Sequence, residues 1–180
     1  MAFTGKDELE ELYRGKFLRL VKRGRWEYVE RTNAHCAAVI VAVTDDDELL
    51  LIDQTRVPLG GRVIELPAGL VGDQGDIPEE ALEEAANREL IEETGYSAAR
   101  WTPLIDGPPS PGLANEHLFF LLAEGLTKVG EGGGVGLEDI RVFRVPLAEA
   151  EDWIMARKAE GEIVDPKVFA GLYFLLTRRK

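Results

Sequence analysis

The sequence predicts an α+β fold in which a mixed central sheet is flanked by helices. Short segments that alternate apolar and polar residues, or that are continuously apolar, run through most of the chain and are typical of strands. One long helical segment interrupts them, and two amphipathic helical segments close the chain. This order differs from the regular strand and helix alternation of a doubly wound parallel fold.

The N-terminal part of the chain predicts an antiparallel hairpin over about residues 17–33. A charged opening segment, which is compatible with a helix, precedes residues 17–23, where apolar and polar side chains partly alternate. Gly24 then turns the chain into residues 26–31. One face of this hairpin is therefore expected to be solvated.

The remaining elements follow from apolar runs and turn residues. Residues 36–43 form an almost continuous apolar run, and three aspartates, 45–47, turn the chain into a second buried strand. Pro78 and Gly95 delimit the long helix, residues 79–94. Further strands are predicted at 48–54, 63–66, 98–104, 117–123 and 140–145, and further helices at 147–158 and 166–177.

Length and composition predict one domain spanning residues 1–180. The chain has 180 residues, of which 45% are hydrophobic, and 33 acidic against 21 basic side chains give a net charge of −12. Its apolar runs are too short to span a bilayer, and its start lacks a secretory pattern, so we expect a cytoplasmic protein without a membrane partner. The excess of acidic side chains argues against nucleic acid as a binding partner. A phosphorylated ligand would need a cation between its phosphates and the acidic protein.

The long helix carries two groups of glutamates, of which Glu80, Glu83 and Glu84 lie on the far side and are expected to be solvated. At 100° per residue, Leu82 and Leu90 belong to an apolar stripe that is expected to face the sheet. Glu89, Glu92 and Glu93 fall in one arc that overlaps this stripe. Three carboxylates at the start of burial repel one another and suffer desolvation unless a divalent cation neutralises them.

Carboxylates at this helical spacing suit Mg²⁺, with Mn²⁺ as a possible substitute. The alternative is that Arg88 and nearby lysines neutralise this face and that the glutamates only favour the helix. The helix by itself leaves both interpretations open.

A wider pattern, residues 69–96, resembles the Nudix box, Gly-x5-Glu-x7-Arg-Glu-U-x-Glu-Glu-x-Gly-U, in which U is a bulky apolar residue. Residues 88–96, Arg-Glu-Leu-Ile-Glu-Glu-Thr-Gly-Tyr, match every defined position of its second half. The first half is longer than the pattern, so either Glu80 or Asp76 takes the place of the first glutamate. The resemblance implies an α/β/α sandwich and a metal held by Glu89, Glu92, Glu93 and the carbonyl of Gly69.

Stretches outside the box are similar to the branch of Nudix hydrolases that acts on ADP-ribose and nucleoside diphosphate sugars. Gln-Thr-Arg at 54–56 resembles a motif whose arginine reaches the substrate, which suggests Arg56. Ser-Pro-Gly-Leu-Ala-Asn-Glu at 110–116 resembles a downstream motif and suggests Ser110, Gly112 and Glu116 as substrate contacts.

A third stretch follows the glycine-rich segment 129–136, which is expected to be a mobile loop. Glu138 precedes an Asp-Ile-Arg-Val strand, and in this branch such a glutamate closes over the site as a base. Asp139 is the neighbouring alternative.

The predicted function is metal-dependent hydrolysis of ADP-ribose or a related nucleoside diphosphate sugar to a nucleoside monophosphate and a sugar phosphate. The alternative enzyme is a nucleoside triphosphate or dinucleoside polyphosphate pyrophosphohydrolase. A nucleotide-sugar-sensing module is the non-enzymatic alternative. The resemblance also implies a homodimer formed through the N-terminal strands and the C-terminal helix, although Val168, Leu172 and Leu175 of that helix suit a monomer core equally well.

Overall fold

The computed structural model describes residues 7–34, 36–72 and 82–178. The N-terminal strands are β1 (Leu9–Arg14), β2 (Leu18–Arg23) and β3 (Trp26–Arg31). They are followed by β4 (Cys36–Ala42), β5 (Glu48–Arg56), β6 (Gly61–Glu65), β7 (Ala68–Val71) and helix α1 (Leu82–Thr94). The C-terminal half consists of β8 (Tyr96–Gly107), β9 (Leu118–Lys128), β10 (Arg141–Pro146), α2 (Ala150–Ala159), β11 (Ile163–Val164) and α3 (Pro166–Arg178).

The strands of the described residues form three sheets. β1, β2 and β3 make an antiparallel sheet, while the other two have the orders β7-β4-β9-β8 and β10-β5-β6-β11. The pairs β4–β9 and β6–β11 are parallel, and the remaining pairs are antiparallel. Mixed sheets with helices packed on them confirm the predicted α+β class.

Strand β4 explains the layered core. Its odd residues, such as Val41, pack with Leu172 of α3, whereas its even residues, such as Ile40, pack with Ala86 and Leu90 of α1. Because successive side chains of a strand point to opposite faces, α1 and α3 cover opposite faces of this strand. The predicted apolar stripe of α1 thus faces the sheet, with Leu82 packed partly buried against the same cluster.

Two expectations change in the structure. The charged opening segment forms strand β1, which pairs antiparallel with β2, so pairing with a neighbouring strand prevails over its helical composition. Val168, Leu172 and Leu175 of α3 are buried in the core of the same chain, which resolves their two interpretations. The described residues do not include 79–81, the start of the predicted helix, or Pro78 before it. The two candidates for the first box glutamate, Asp76 and Glu80, also lie outside them.

Candidate active site

A cleft of about 560 Å³ lies where α1, the ends of β5, β6 and β7, and the start of α3 meet. Its acidic lining includes Glu89, Glu93, Glu116 and Glu138. Its basic lining includes Arg31, Arg56 and Lys167. The cleft therefore combines carboxylates, which attract cations, with cationic side chains, which attract phosphate oxygens.

Glu93 is a buried carboxylate of this lining, with only 5% of its surface exposed. One of its oxygens accepts a hydrogen bond from the Ala68 backbone N–H at 3.0 Å. Burial raises the pKa of Glu93 from 4.5 to about 8, and the neighbouring carboxylates of Glu89 and Glu138 add to this increase. The bond from Ala68 and the charge of Arg56 oppose it.

Arg88 pairs with the other two glutamates of the predicted arc. Its Nη1 lies 2.7 Å from Glu89 Oε1 and 3.5 Å from Glu92 Oε2, and its Nη2 donates to the carbonyl of Leu70 at 3.2 Å. Glu89 lines the cleft, whereas Glu92 is not part of its lining. The neutralising role suggested for Arg88 thus applies to Glu89 and Glu92, while Glu93 has no ion pair within the described residues.

Gly69 allows the close approach between β7 and α1. A Cβ at this position would overlap the side chain of Glu89, so the strand leaves a space that the Glu89 carboxyl group fills. Carboxylates and a glycine carbonyl are hard oxygen donors, which fit a divalent cation such as Mg²⁺. Within the described ranges, however, no three acidic, histidine or cysteine side chains already surround a common point.

Arg56 is positioned by Glu65, a residue that sequence reasoning missed. Its Nε donates to Glu65 Oε1 at 2.8 Å, its Nη2 bonds to Glu65 Oε2, and Gln54 donates to the same oxygen at 3.3 Å. Glu65 is 5% exposed, so Arg56 compensates its buried charge. The available signal was a charged residue within the apolar strand residues 63–66.

The downstream motif divides between two places. Glu116 lines the cleft and accepts a 2.5 Å hydrogen bond from Arg31 Nε of β3. The carbonyl of Ser110 accepts bonds from the next turn, and its side chain is not part of the cleft lining. Gly112 lines a separate cavity of about 440 Å³ beside Trp26 and Tyr28. The structure therefore joins Glu116, but neither Ser110 nor Gly112, to the cleft.

Glu138 and Asp139 face different partners. Glu138 lines the cleft, and its carboxylate accepts a hydrogen bond from the Val135 N–H at 2.9 Å. Asp139 instead accepts a hydrogen bond from Arg62 Nη1 at 2.7 Å. Of these two acids, Glu138 is the one that reaches the cleft.

A further basic group at the start of α3 was missed from the sequence. Lys167 forms an ion pair with Asp165, whose carboxylate also accepts the Lys167 backbone N–H at 2.8 Å, and both residues line the cleft. The pattern Asp-Pro-Lys at a helix start is a recognisable N-terminal signal. Sequence spacing alone did not reveal that this helix end borders the glutamates of α1.

Comparison with known proteins identifies the family of this chain. The NUDIX domain model matches residues 34–165, which include the whole box. The chain belongs to the Nudix family. Nudix hydrolases generally need a divalent metal, which agrees with the oxygen donors of the cleft.

Relatives of this Nudix chain include two kinds of pyrophosphatase. It is 30% identical over 173 residues to an ADP-ribose pyrophosphatase of Bacillus subtilis (strain 168), covering 92% of this chain and 89% of the relative. It is 33% identical over 165 residues to a GDP-mannose pyrophosphatase of Escherichia coli O9:H4 (strain HS), covering 87% and 80%. A solved structure of an ADP compounds hydrolase shares the fold, with a TM-score of 0.74, 23% identity and coverage of 94% and 90%. Among the described residues, no helix has the length and apolar character needed to cross a membrane.

Proposed function

We propose that this Nudix chain hydrolyses the pyrophosphate bond of ADP-ribose or a related nucleoside diphosphate sugar, releasing a nucleoside monophosphate and a sugar phosphate. The observation that carries the proposal is the cleft in which Glu89, Glu93 and Glu138 lie together with Arg56 and Lys167. Such a cleft can hold a metal and a doubly charged pyrophosphate at once. The named activities of the ADP-ribose and GDP-mannose relatives support this choice of substrate class.

The residues that would hold the metal are Glu89, Glu92 and Glu93, with the carbonyl of Gly69. We propose Mg²⁺ as the natural ion and Mn²⁺ as a substitute, because both accept carboxylate and carbonyl oxygens. When bound, the ion supplies positive charge for the phosphate oxygens and makes a water nucleophile more acidic. The burial of Glu93 favours this role, since its charge is costly without a cation.

The other side chains of the cleft have separate roles. Arg56 offers a planar guanidinium to the pyrophosphate oxygens, and its bonds to Glu65 fix the direction in which it points. Glu138 accepts the proton of the attacking water as the general base. Glu116, held by Arg31, contacts the substrate at the edge of the cleft. Ser110 and Gly112 remain weaker candidates, because they lie outside this lining.

The same proposal includes that the protein is a homodimer with a single domain over residues 1–180. It also includes a cytoplasmic location and no nucleic-acid or membrane partner. The N-terminal sheet supports the dimer, because it exposes large apolar side chains, among them Leu12, Tyr13, Phe17 and Trp26. A second copy of this chain would remove that surface from water.

A substrate panel tests the proposed reaction. With Mg²⁺, the protein is expected to convert ADP-ribose or GDP-mannose much faster than nucleoside triphosphates or dinucleoside polyphosphates, and to lose activity when the metal is chelated. Mass spectrometry of the products formed in ¹⁸O-labelled water identifies both fragments and shows which phosphorus was attacked. Preference for triphosphates would favour the alternative enzyme, and tight nucleotide-sugar binding without turnover would favour the sensing module.

Replacement of Arg56 tests the phosphate contact. Arg56→Gln is expected to raise the KM for the nucleotide sugar by roughly ten- to a hundred-fold, the effect of losing charged hydrogen bonds. It should also lower the melting temperature, because Glu65 then keeps a buried charge without its partner. Arg144→Gln is the matched control, since Arg144 pairs with Glu48 outside the cleft lining. An unchanged KM in Arg56→Gln would contradict the assignment.

A further inference from the structure

The glycine-rich segment 129–136 is bonded to the end of helix α1. The Gly133 N–H donates to the carbonyl of Glu93 and the Gly134 N–H to the carbonyl of Glu92, each at 2.9 Å. Carbonyls in the last turn of a helix have no acceptor role within the helix and need other donors. The loop thus caps α1 at the two residues whose side chains are proposed to hold the metal.

The conformation of this segment requires glycine. Gly132 has φ +75°, and a Cβ there would overlap the Thr94 backbone and lie 2.7 Å from the Gly95 nitrogen. Gly134 has φ +89°, and its Cβ would lie 2.6 Å from the Cβ of Glu138. Backbone atoms cannot move aside as a flexible side chain can. A side chain at position 132 must therefore push the loop away from the helix.

The other side of Glu138 is also held. Arg62 donates to the Asp139 carboxylate at 2.7 Å and to the Asp139 carbonyl at 2.9 Å. Arg62 in turn donates to the buried carboxylate of Asp53 at 2.8 Å. The Ile140 N–H closes the segment by donating to the carbonyl of Gly133 at 3.1 Å. Glu138 therefore lies between two anchored points.

We propose that residues 132–134, here named the glycine latch, together with the Arg62–Asp139 pair, position Glu138 for the reaction. The latch bonds the chain that carries the base to the backbone of Glu92 and Glu93, so that base and metal ligands keep a fixed separation. The sequence suggested that these glycines make the loop mobile, whereas their backbone hydrogen bonds attach the loop to the end of α1. This inference rests on the proposed function, because the role of Glu138 is part of it.

Gly132→Ala tests the latch, and Gly130→Ala is its control. A Cβ at residue 130 meets no atom within 4 Å, and Gly130 is not among the glycines with positive φ. Gly132→Ala is expected to lower kcat by roughly ten- to a hundred-fold, as displacement of a catalytic group does, with KM nearly unchanged. Gly130→Ala should keep the kcat of the natural protein.

Hydrogen exchange in the metal-free protein gives a readout that is independent of turnover. The amides of Gly133 and Gly134 are expected to lose protection in Gly132→Ala but to keep it in Gly130→Ala. Retained protection in Gly132→Ala, or a normal kcat with lost protection, would overturn the latch.

Two further variants separate the latch from the proposed function. A normal kcat in Gly132→Ala together with an inactive Glu138→Gln overturns the latch alone, whereas full activity in both variants overturns the proposed base as well. If Gly132→Ala does not fold, Asp139→Asn tests the second anchor, because the Asp139 side chain is 79% exposed and its change leaves the core intact. Asp139→Asn should lower kcat with KM preserved, and an unchanged kcat would overturn the proposal.

Discussion

Glu93→Gln is expected to lower the rate of ADP-ribose hydrolysis by about two to three orders of magnitude, the usual loss when a charge-stabilising group is removed from an active site. Glutamine keeps the size of the side chain and can still accept the Ala68 N–H, so the fold should survive. It cannot supply the negative charge that a divalent cation requires. Product release at saturating Mg²⁺ and substrate measures the effect.

The matched control is Glu83→Gln, which changes an exposed glutamate of the same helix. This variant should keep normal activity, because Glu83 belongs to the solvated face of α1. Full activity in Glu93→Gln, or an equal loss in Glu83→Gln, would refute the assignment of Glu93 to the metal.

The raised pKa of Glu93 predicts that the stability of the metal-free protein depends on pH, and Glu93→Gln tests this. Because the pKa of Glu93 is raised from 4.5 to about 8, the folded state binds this proton more tightly than the unfolded state does. The stability associated with the neutral carboxyl is therefore full below about pH 4.5 and is lost as the pH rises through about 8. Glu93→Gln removes this loss.

In buffer that contains a chelator at pH 9, the free energy of unfolding of Glu93→Gln should be larger than that of the natural protein by on the order of 1–3 kcal/mol. Near pH 5 the two proteins should be similar, since the natural side chain is then largely protonated. Urea unfolding at both pH values measures the difference. A difference that does not change with pH would mean that the burial of Glu93 has little effect on its proton affinity.

Glu138→Gln is expected to lower kcat by roughly a hundred- to ten-thousand-fold, the range for loss of a general base. The KM should change little, because the phosphate contact comes from Arg56 at the end of strand β5, away from the loop that carries Glu138. Steady-state kinetics over a range of substrate concentrations separate the two constants.

Glu131→Gln provides the control for Glu138, because it changes an exposed glutamate of the glycine-rich segment 129–136, which precedes Glu138. Its backbone carbonyl accepts a bond from Lys128, which the substitution leaves in place. A kcat for Glu138→Gln that equals that of Glu131→Gln would exclude Glu138 as the base.

The arrangement of the three glutamates of the box has a local cause. Glu89, Glu92 and Glu93 are on one arc because helical spacing determines their relative directions, whatever the rest of the chain does. The almost continuous apolar run of β4 likewise predicts a strand with two buried faces, and its even residues do pack against α1. The Nudix box added the expected chemistry, and the family match agrees with it.

The fold was harder to predict where strands are short or charged. β1 has an exposed, charged composition, and β11 has only two residues. Such segments become strands because a neighbouring strand supplies hydrogen-bond partners, which a local pattern does not reveal. The same applies to β7, which lies outside the predicted strands but pairs with β4.

The sequence by itself therefore determined the acidic face of α1, the oxygen-donor chemistry of the site and the class of fold. Only the tertiary structure decided which charges meet. It paired Arg56 with Glu65, joined Arg31 to Glu116 across the chain, and turned Asp139 to Arg62 while leaving Glu138 in the cleft. The physical reason is that helical and strand periodicity specify directions within one element, whereas contacts between elements depend on how the sheets and helices pack.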